Sequence, residues 1–302
     1  MIYQRTIENI VSVTGVGLHS GLRVTLTLKP ANIDCGIVFL RTDLPDMPAI
    51  KCHPFLVNDT RLSSTLVDDN KVRVGTIEHL MSAFACLGID NIIVEVSAPE
   101  MPIMDGSSNS FLYLLDQAKV IEQNAKKKYI RILKTIEILE EDKWVKLEPF
   151  DGYKLNLTIK FNHPLFKPEH SEFEVDFAKH SYITEISRAR TFTFMYEVEH
   201  VRKNGLGLGG NLNNAIVIDD GEDTILNEGG LRYSNEFVRH KILDAIGDLY
   251  ILGYQLIASF TGYKSGHAIN NKLLRKLLNT PDAWEYVVFD NEEQVPNSFH
   301  EL

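Results

Sequence analysis

The sequence predicts an α+β fold in two domains, and three observations carry that expectation. The chain has 302 residues, more than one hydrophobic core commonly serves. Its segments of period 2 and period 3.6 are segregated rather than strictly alternating, which argues against a doubly wound sheet. A polar stretch at 122–128, with Asn124 and three lysines, interrupts the apolar patterning. We place the boundary there, giving units 1–125 and 126–302. For Lys126, Lys127 and Lys128 the plain reading is a solvated linker.

Taken in chain order, Val24, Leu26 and Leu28 alternate with Thr25 and Thr27, as a half-buried strand requires. Residues 76–87 place Ile77, Leu80, Met81, Phe84 and Leu87 at helical spacing, with Thr76 as N-cap and Gly88 as terminator. A strand at 91–96 and a helix at 110–117 follow. Beyond the boundary, strands are expected at 129–137, 144–148 and 154–161. A long helix at 235–252 has Ser234 before it and Gly253 after it. An apolar strand at 255–260 and a helix at 270–278 close the pattern.

Charge and composition narrow the function classes. A formal charge of -10 and a pI near 5.5 disfavour nucleic acid as partner. The longest membrane candidate, 249–260, is too short to span a bilayer and carries Gln255. Cys35, Cys52 and Cys86 show no paired spacing, and with charges at Arg5 and Glu8 no signal peptide is expected. A reducing, cytoplasmic setting is expected, with Cys86 acting as a small buried hydrophobe.

The most informative segment surrounds His240. His240, Asp244 and Asp248 fall at i, i+4 and i+8 and share one helical face, bordered by Phe237, Leu243, Ile246 and Leu249. A His and an Asp one turn apart can bind one cation, and Asp248 one turn further on can orient a neighbouring group. Alone the pair is weak, since an i, i+4 hydrogen bond explains it equally well. Glu78 and His79, near the start of the earlier helix, extend the pattern. His79 completes a set of two histidines and an aspartate that leaves one position open, with Glu78 beside it as a base. Capping and dipole compensation is the structural alternative for that pair. His267 follows Ser265 and Gly266 at a strand-to-loop edge, where reactive side chains often project.

Other features carry less. His19 lies in a turn bracketed by Gly15, Gly17 and Gly21, and a bend is sufficient explanation. His53, His170, His180, His200 and His300 lack a partner at ligand spacing. The glycine run at 205–210 is not a phosphate loop, because no Lys-Ser/Thr follows and 215–218 reads as a strand rather than a helix. Bulky apolar residues from Phe192 to Leu208 suit a greasy channel instead.

These residues together resemble a known family. GVGLHSG at 15–21, TIEHL at 76–80, PIMDG at 102–106, SRARTF at 187–192, GLGG at 207–210, FVRHK at 237–241 running on to Asp248, and KSGH at 264–267 stand in this order. The chain resembles the UDP-3-O-acyl-N-acetylglucosamine deacetylases, zinc enzymes of lipid A synthesis in Gram-negative bacteria. The resemblance covers essentially the whole chain.

It implies two similar domains, each a sheet packed with helices, with small insertions framing an active site between them. It also implies zinc (Zn2+) on His79, His240 and Asp244, with Glu78 as general base and His267 as the acid for the leaving amine. Asp248 would hold the His267 imidazole, and Thr191 would help to stabilise the oxyanion. Lys241 would position the substrate, an acylated UDP-amino sugar. Phe192 and Phe194 match residues near the sugar and acyl passage, and Phe161 and His163 fall near the nucleotide. A cytoplasmic monomer with peripheral contact to the inner membrane is the expected setting. Two alternatives remain: a zinc amidase acting on another acylated nucleotide sugar, and a catalytically idle nucleotide-sugar-binding protein. Intact Glu78, His79, His240, Asp244 and His267 count against the latter.

Overall fold

Two sheets, one from each half of the chain, enclose a layer of helices in the computed structural model, which describes residues 1–220 and 224–299. The first sheet runs in the order Val11–Val16, Arg23–Pro30, Ile92–Val96, Ile37–Arg41, Ala49–Lys51. All its pairs are antiparallel except Ile37–Arg41 with Ile92–Val96. Val24, Leu26 and Leu28 face the core while Thr25 and Thr27 turn outward, so the alternation in the sequence marks one covered face.

The second sheet has seven strands built around Gln255–Tyr263. That strand pairs in parallel with Tyr129–Ile132 and Tyr153–Thr158 and antiparallel with Lys143–Glu148. Gln255 to Phe260 is buried throughout, as a central strand covered on both faces should be. The mixed sheets and their helices bear out the α+β expectation.

Six α-helices occur among the described residues: α1 (Glu78–Leu87), α2 (Asn109–Ala118), α3 (Tyr182–Glu185), α4 (Met195–Lys203), α5 (Glu236–Tyr250) and α6 (His267–Leu278). Helices α1 and α5 pack on each other between the sheets, flanked by α2 and α6. Both are buried almost all round: nine of the ten α1 residues are buried, the mark of a core helix rather than a surface one. Side chains from the second half fasten the C-terminal end of α1. Gln255 Nε2 donates to Ala85 O at 3.0 Å, Lys127 Nζ to Gly88 O at 3.0 Å and Tyr250 Oη to Ile89 O at 2.9 Å. Gly88 closes α1 with a left-handed φ of 63°, as expected.

Two small accessory units project from this frame. Val57–Asp59, Thr65–Val67 and Arg73–Val74 form a three-stranded sheet in the first half. In the second half, Phe192–Phe194 pairs in parallel with Ile216–Ile218, and α4 is the crossover between them.

Local readings of the sequence require correction at five points. The single strand expected at 129–137 is two, Tyr129–Ile132 and Ile136–Glu140, which pair with different neighbours. Thr76 does not cap α1: its φ is +55° and its hydroxyl donates to Glu100 Oε1 at 2.9 Å, leaving Ile77 as the cap. Asn235, not Ser234, precedes α5. The lysine run is not a solvated linker. Val120–Lys126 pairs with Tyr3–Ile7, and Lys127 is fully buried with Nζ 2.6 Å from Asp90 Oδ1. Only the middle lysine is withdrawn from solvent, Lys126 being half-buried and Lys128 exposed, and composition alone cannot tell which of the three finds a buried partner. Finally, α6 begins at His267 with Gly266 as its cap, so His267 opens a helix rather than lying in a loop. His300 lies outside the described residues. Among those residues no helix is long and apolar enough to cross a membrane.

Candidate metal and hydrolytic site

The site lies where the first turn of α1 meets the middle of α5. His79, from α1, and His240 and Asp244, from α5, are all buried, and one potential ligand atom from each lies within 4.8 Å of the others. His79 Nε2 stands 3.4 Å and His240 Nε2 3.3 Å from the same Asp244 oxygen, Oδ1. Two imidazole nitrogens and one carboxylate oxygen this close together are a donor set for a single divalent cation. Asp244 Oδ1 is buried and has no hydrogen-bond partner among the described residues. A buried carboxylate oxygen left unpaired is costly, and a cation shared with the two imidazoles would satisfy it.

Neighbouring groups fix the ligands. His240 Nδ1 donates to Ala189 O at 3.0 Å, which leaves the Nε2 lone pair facing Asp244. Lys241 Nζ donates to the other Asp244 oxygen, Oδ2, at 2.8 Å. Burial opposes the Asp244 charge, but His240 and Lys241 outweigh it and hold its carboxyl well below the usual range. Burial lowers the His240 pKa to about 3, with Asp244 opposing the fall.

A second cluster adjoins the first. His267 Nδ1 donates to Asp248 Oδ2 at 2.9 Å, and its Nε2 faces Glu78 Oε1 at 3.9 Å. Burial raises the Glu78 pKa, with His267 and His79 opposing the rise. At His267 burial acts downward, but Asp248 and Glu78 overcome it and bring the pKa up to about 9. One carboxyl and one imidazolium therefore face each other across a gap beside the three-residue cluster. Such a pair can take a proton on one side of a reaction and give one on the other.

Several members of the site were invisible in the sequence. Ser64, on the first accessory sheet side, ties the two carboxylates together: its N–H donates to Glu78 Oε2 at 3.0 Å and its hydroxyl to Asp248 Oδ1 at 2.6 Å. Asn270 donates to Asp248 Oδ2 at 2.9 Å. Its position three residues after His267, on the same helical face, was the one available hint. His19 also lines the site. Its turn is held by Glu100, which accepts the N–H groups of His19 and Ser20 at 2.8 and 2.7 Å.

These groups open onto a cavity of about 640 Å³, within the size range of ligand sites. Met195, Val198 and Val201, on one face of α4, form an apolar wall with Leu212, Val217 and Leu226. Lys143, Lys241, Lys264 and Arg202 supply cations to its lining. Thr191 and Phe192 line it too. Thr191 is held by its backbone: its N–H donates to Gly106 O at 2.9 Å, and its carbonyl accepts from Ile216 N at 2.8 Å. Phe161, His163 and Phe194 are not among the lining residues. They form an aromatic cluster behind Phe192, with Phe161 5.7 Å from the Phe192 ring and His163 5.6 Å from that of Phe194. His163 Nε2 donates to Asp219 O at 3.1 Å.

Residues 4–279 match the family described as UDP-3-O-acyl N-acetylglycosamine deacetylase. The chain is 62% identical over 302 residues to a UDP-3-O-acyl-N-acetylglucosamine deacetylase of Chromobacterium violaceum, covering 100% of this chain and 99% of the relative. It is 60% identical over 301 residues to the protein of that name from Neisseria meningitidis (99% and 97% covered). Against that from Haemophilus influenzae the figure is 52% over 299 residues (99% and 97%).

Proposed function

The chain belongs to the UDP-3-O-acyl N-acetylglycosamine deacetylase family, and from that premise we propose that it hydrolyses the N-acetyl group of a UDP-3-O-acyl-N-acetylglucosamine in lipid A biosynthesis. The amide C–N bond breaks, water supplies oxygen to the acetyl carbon, and acetate and a free amino sugar leave. The observation that carries this reading is the convergence of His79, His240 and the unpaired Asp244 oxygen beside the facing pair Glu78 and His267.

We assign His79, His240 and Asp244 as the residues that would hold a divalent cation. Two imidazole nitrogens with a carboxylate oxygen are a donor set that zinc takes, and the separations of 3.3 and 3.4 Å let these atoms share one ion. When bound, the cation supplies Lewis acidity, bringing the pKa of water toward about 7 and polarising the carbonyl. Glu78 takes a proton from the attacking water. The Thr191 hydroxyl donates to the developing oxyanion, a contact worth about 3 kcal/mol in comparable sites. His267 then gives its Nε2 proton to the amide nitrogen as the C–N bond breaks, because an unprotonated amine leaves badly. Asp248 keeps that imidazole charged and oriented.

Lys241, with Lys143, Lys264 and Arg202, provides local positive charge for the diphosphate. The overall charge of -10 does not oppose this, because distant charge is screened beyond about 8 Å. The acyl chain lies along the α4 wall with Phe192 at its entrance. Phe161, His163 and Phe194 act on the substrate through the aromatic cluster that backs Phe192. The division into units 1–125 and 126–302 is supported by sheets that draw their strands from separate halves. In the cell we place the protein in the cytoplasm as a monomer, touching the inner membrane through its acylated substrate.

An acetate-release assay on the zinc-loaded and chelator-treated protein tests this reading. Acetate and free amine should appear in equal amounts, cease on metal removal and return with Zn2+. Undiminished turnover after complete metal removal would defeat it.

A further inference from the structure

The polar stripe of α5 has a fourth member, one turn ahead of His240. Glu236 opens the helix and precedes His240, Asp244 and Asp248 at intervals of four residues. It is 0% exposed. Oε1 accepts the Arg190 backbone N–H at 3.0 Å and Arg190 Nε at 2.8 Å. Oε2 accepts Arg190 Nη2 at 3.1 Å and the Arg232 backbone N–H at 2.5 Å. Arg190 is itself buried, and its Nη2 also donates to Gly230 O at 2.8 Å. Neither residue is among those lining the cavity, so neither can touch the substrate there.

Their importance lies in what flanks Arg190. Ala189 offers the carbonyl that accepts the hydrogen bond from His240 Nδ1. Thr191, on the other side, lines the cavity. Three consecutive residues therefore connect to α5 or to the site: 189 through His240, 190 through Glu236, and 191 as part of the cavity lining. A buried ion pair is a poor source of net stability, because desolvation offsets the attraction. A two-pronged guanidinium–carboxylate contact is, however, specific in direction and distance.

We propose that Arg190 and Glu236 are a positioning pair that clamps segment 189–191 to α5, fixing in one step the ring of His240 and the hydroxyl of Thr191. The inference rests on the deacetylase reading above. Loosening the clamp should let His240 rotate, weakening metal binding, and let Thr191 drift, slowing turnover without comparable loss of substrate binding.

The test uses the full chain with Arg190→Met and Glu236→Gln combined, which removes both buried charges and so spares the fold. Arg190→Lys serves as a second variant, keeping the charge but losing the planar fork. Both should unfold within a few degrees of wild type. Zinc affinity, read by competition with a chromogenic chelator, should fall about tenfold or more, as loss of a ligand-orienting contact commonly produces. kcat should fall by a similar or larger factor, with KM changing far less. Adding Thr191→Ala should cost much less in these variants than in wild type, because the hydroxyl is already misplaced. Wild-type zinc affinity and kcat in a folded variant would overturn the proposal, as would a Thr191→Ala penalty equal in both backgrounds. If wild type itself releases no acetate, the functional reading fails instead, and the two failures are distinct.

Discussion

A Cβ on Gly247 would stand 2.0 Å from the backbone oxygen of Glu78 and 2.8 Å from its carbonyl carbon. Helix α5 therefore passes beneath the first turn of α1 at a distance that only glycine permits. This crossing brings Glu78 and His79 to the level of His240 and Asp244. In a free helix Gly→Ala gains about 1 kcal/mol, but here the added methyl meets rigid backbone, and overpacking costs about 1–3 kcal/mol or more. Gly247→Ala should thus lower stability in chemical denaturation and weaken zinc binding by tenfold or more. Unchanged zinc affinity would show that the crossing distance does not set the site.

For Asp248 the expected effect is on pH dependence. Burial works against the charge on His267, and Asp248 and Glu78 nevertheless hold its pKa at about 9. As the acid, His267 should lose its proton through that range, so turnover should fall as pH rises past about 9. Asp248→Asn should shift this basic limb to lower pH. Stability follows the same sign, because the folded pKa lies above the ordinary histidine value of 6.5. The stabilisation is complete below pH 6.5 and lost as pH rises through about 9. Urea midpoints measured from pH 6 to 10 should therefore decline less in the variant. A basic limb that does not move would refute the assignment.

Glu78→Gln separates base from ligand. The amide can still accept from the Ser64 N–H, so the fold and metal content should persist while turnover falls by about 10²–10⁴. Metal analysis and the acetate assay on one preparation decide it. Near-normal turnover with zinc bound would reject Glu78 as the base.

The buried pair Lys127–Asp90 joins the start of the second half to the loop after α1. Lys127→Met leaves the Asp90 charge buried without its partner, and such a break costs about 3–5 kcal/mol. Replacing Asp90 by Asn in addition should recover much of that loss. Urea unfolding of the single and double variants measures both. A single variant within 1 kcal/mol of wild type would show that the pair is not a structural tie.

What the sequence made legible was periodic or local. The spacing of His240, Asp244 and Asp248 placed three groups on one face, and α5 puts them there. The alternation at 24–28 marked a strand with one buried face. What stayed hidden depends on contacts between distant segments. Ser64 meets Asp248 across 184 positions, and nothing in its neighbourhood signals that. The lysine run looked solvated because composition cannot show that Lys127 finds Asp90. Glu236 stood at the right interval, yet its partner lies 46 positions earlier, so its spacing could not reveal the clamp. That His79 would join the α5 pair came from the resemblance and the economy of a three-ligand set, since no periodicity spans two helices.

Anomalous diffraction at the zinc edge from crystals of the zinc-loaded protein is the most direct test of the whole scheme. One strong peak should lie within about 2.0–2.2 Å of Nε2 of His79, Nε2 of His240 and Oδ1 of Asp244. A peak bound elsewhere, or none among these three atoms, would contradict it.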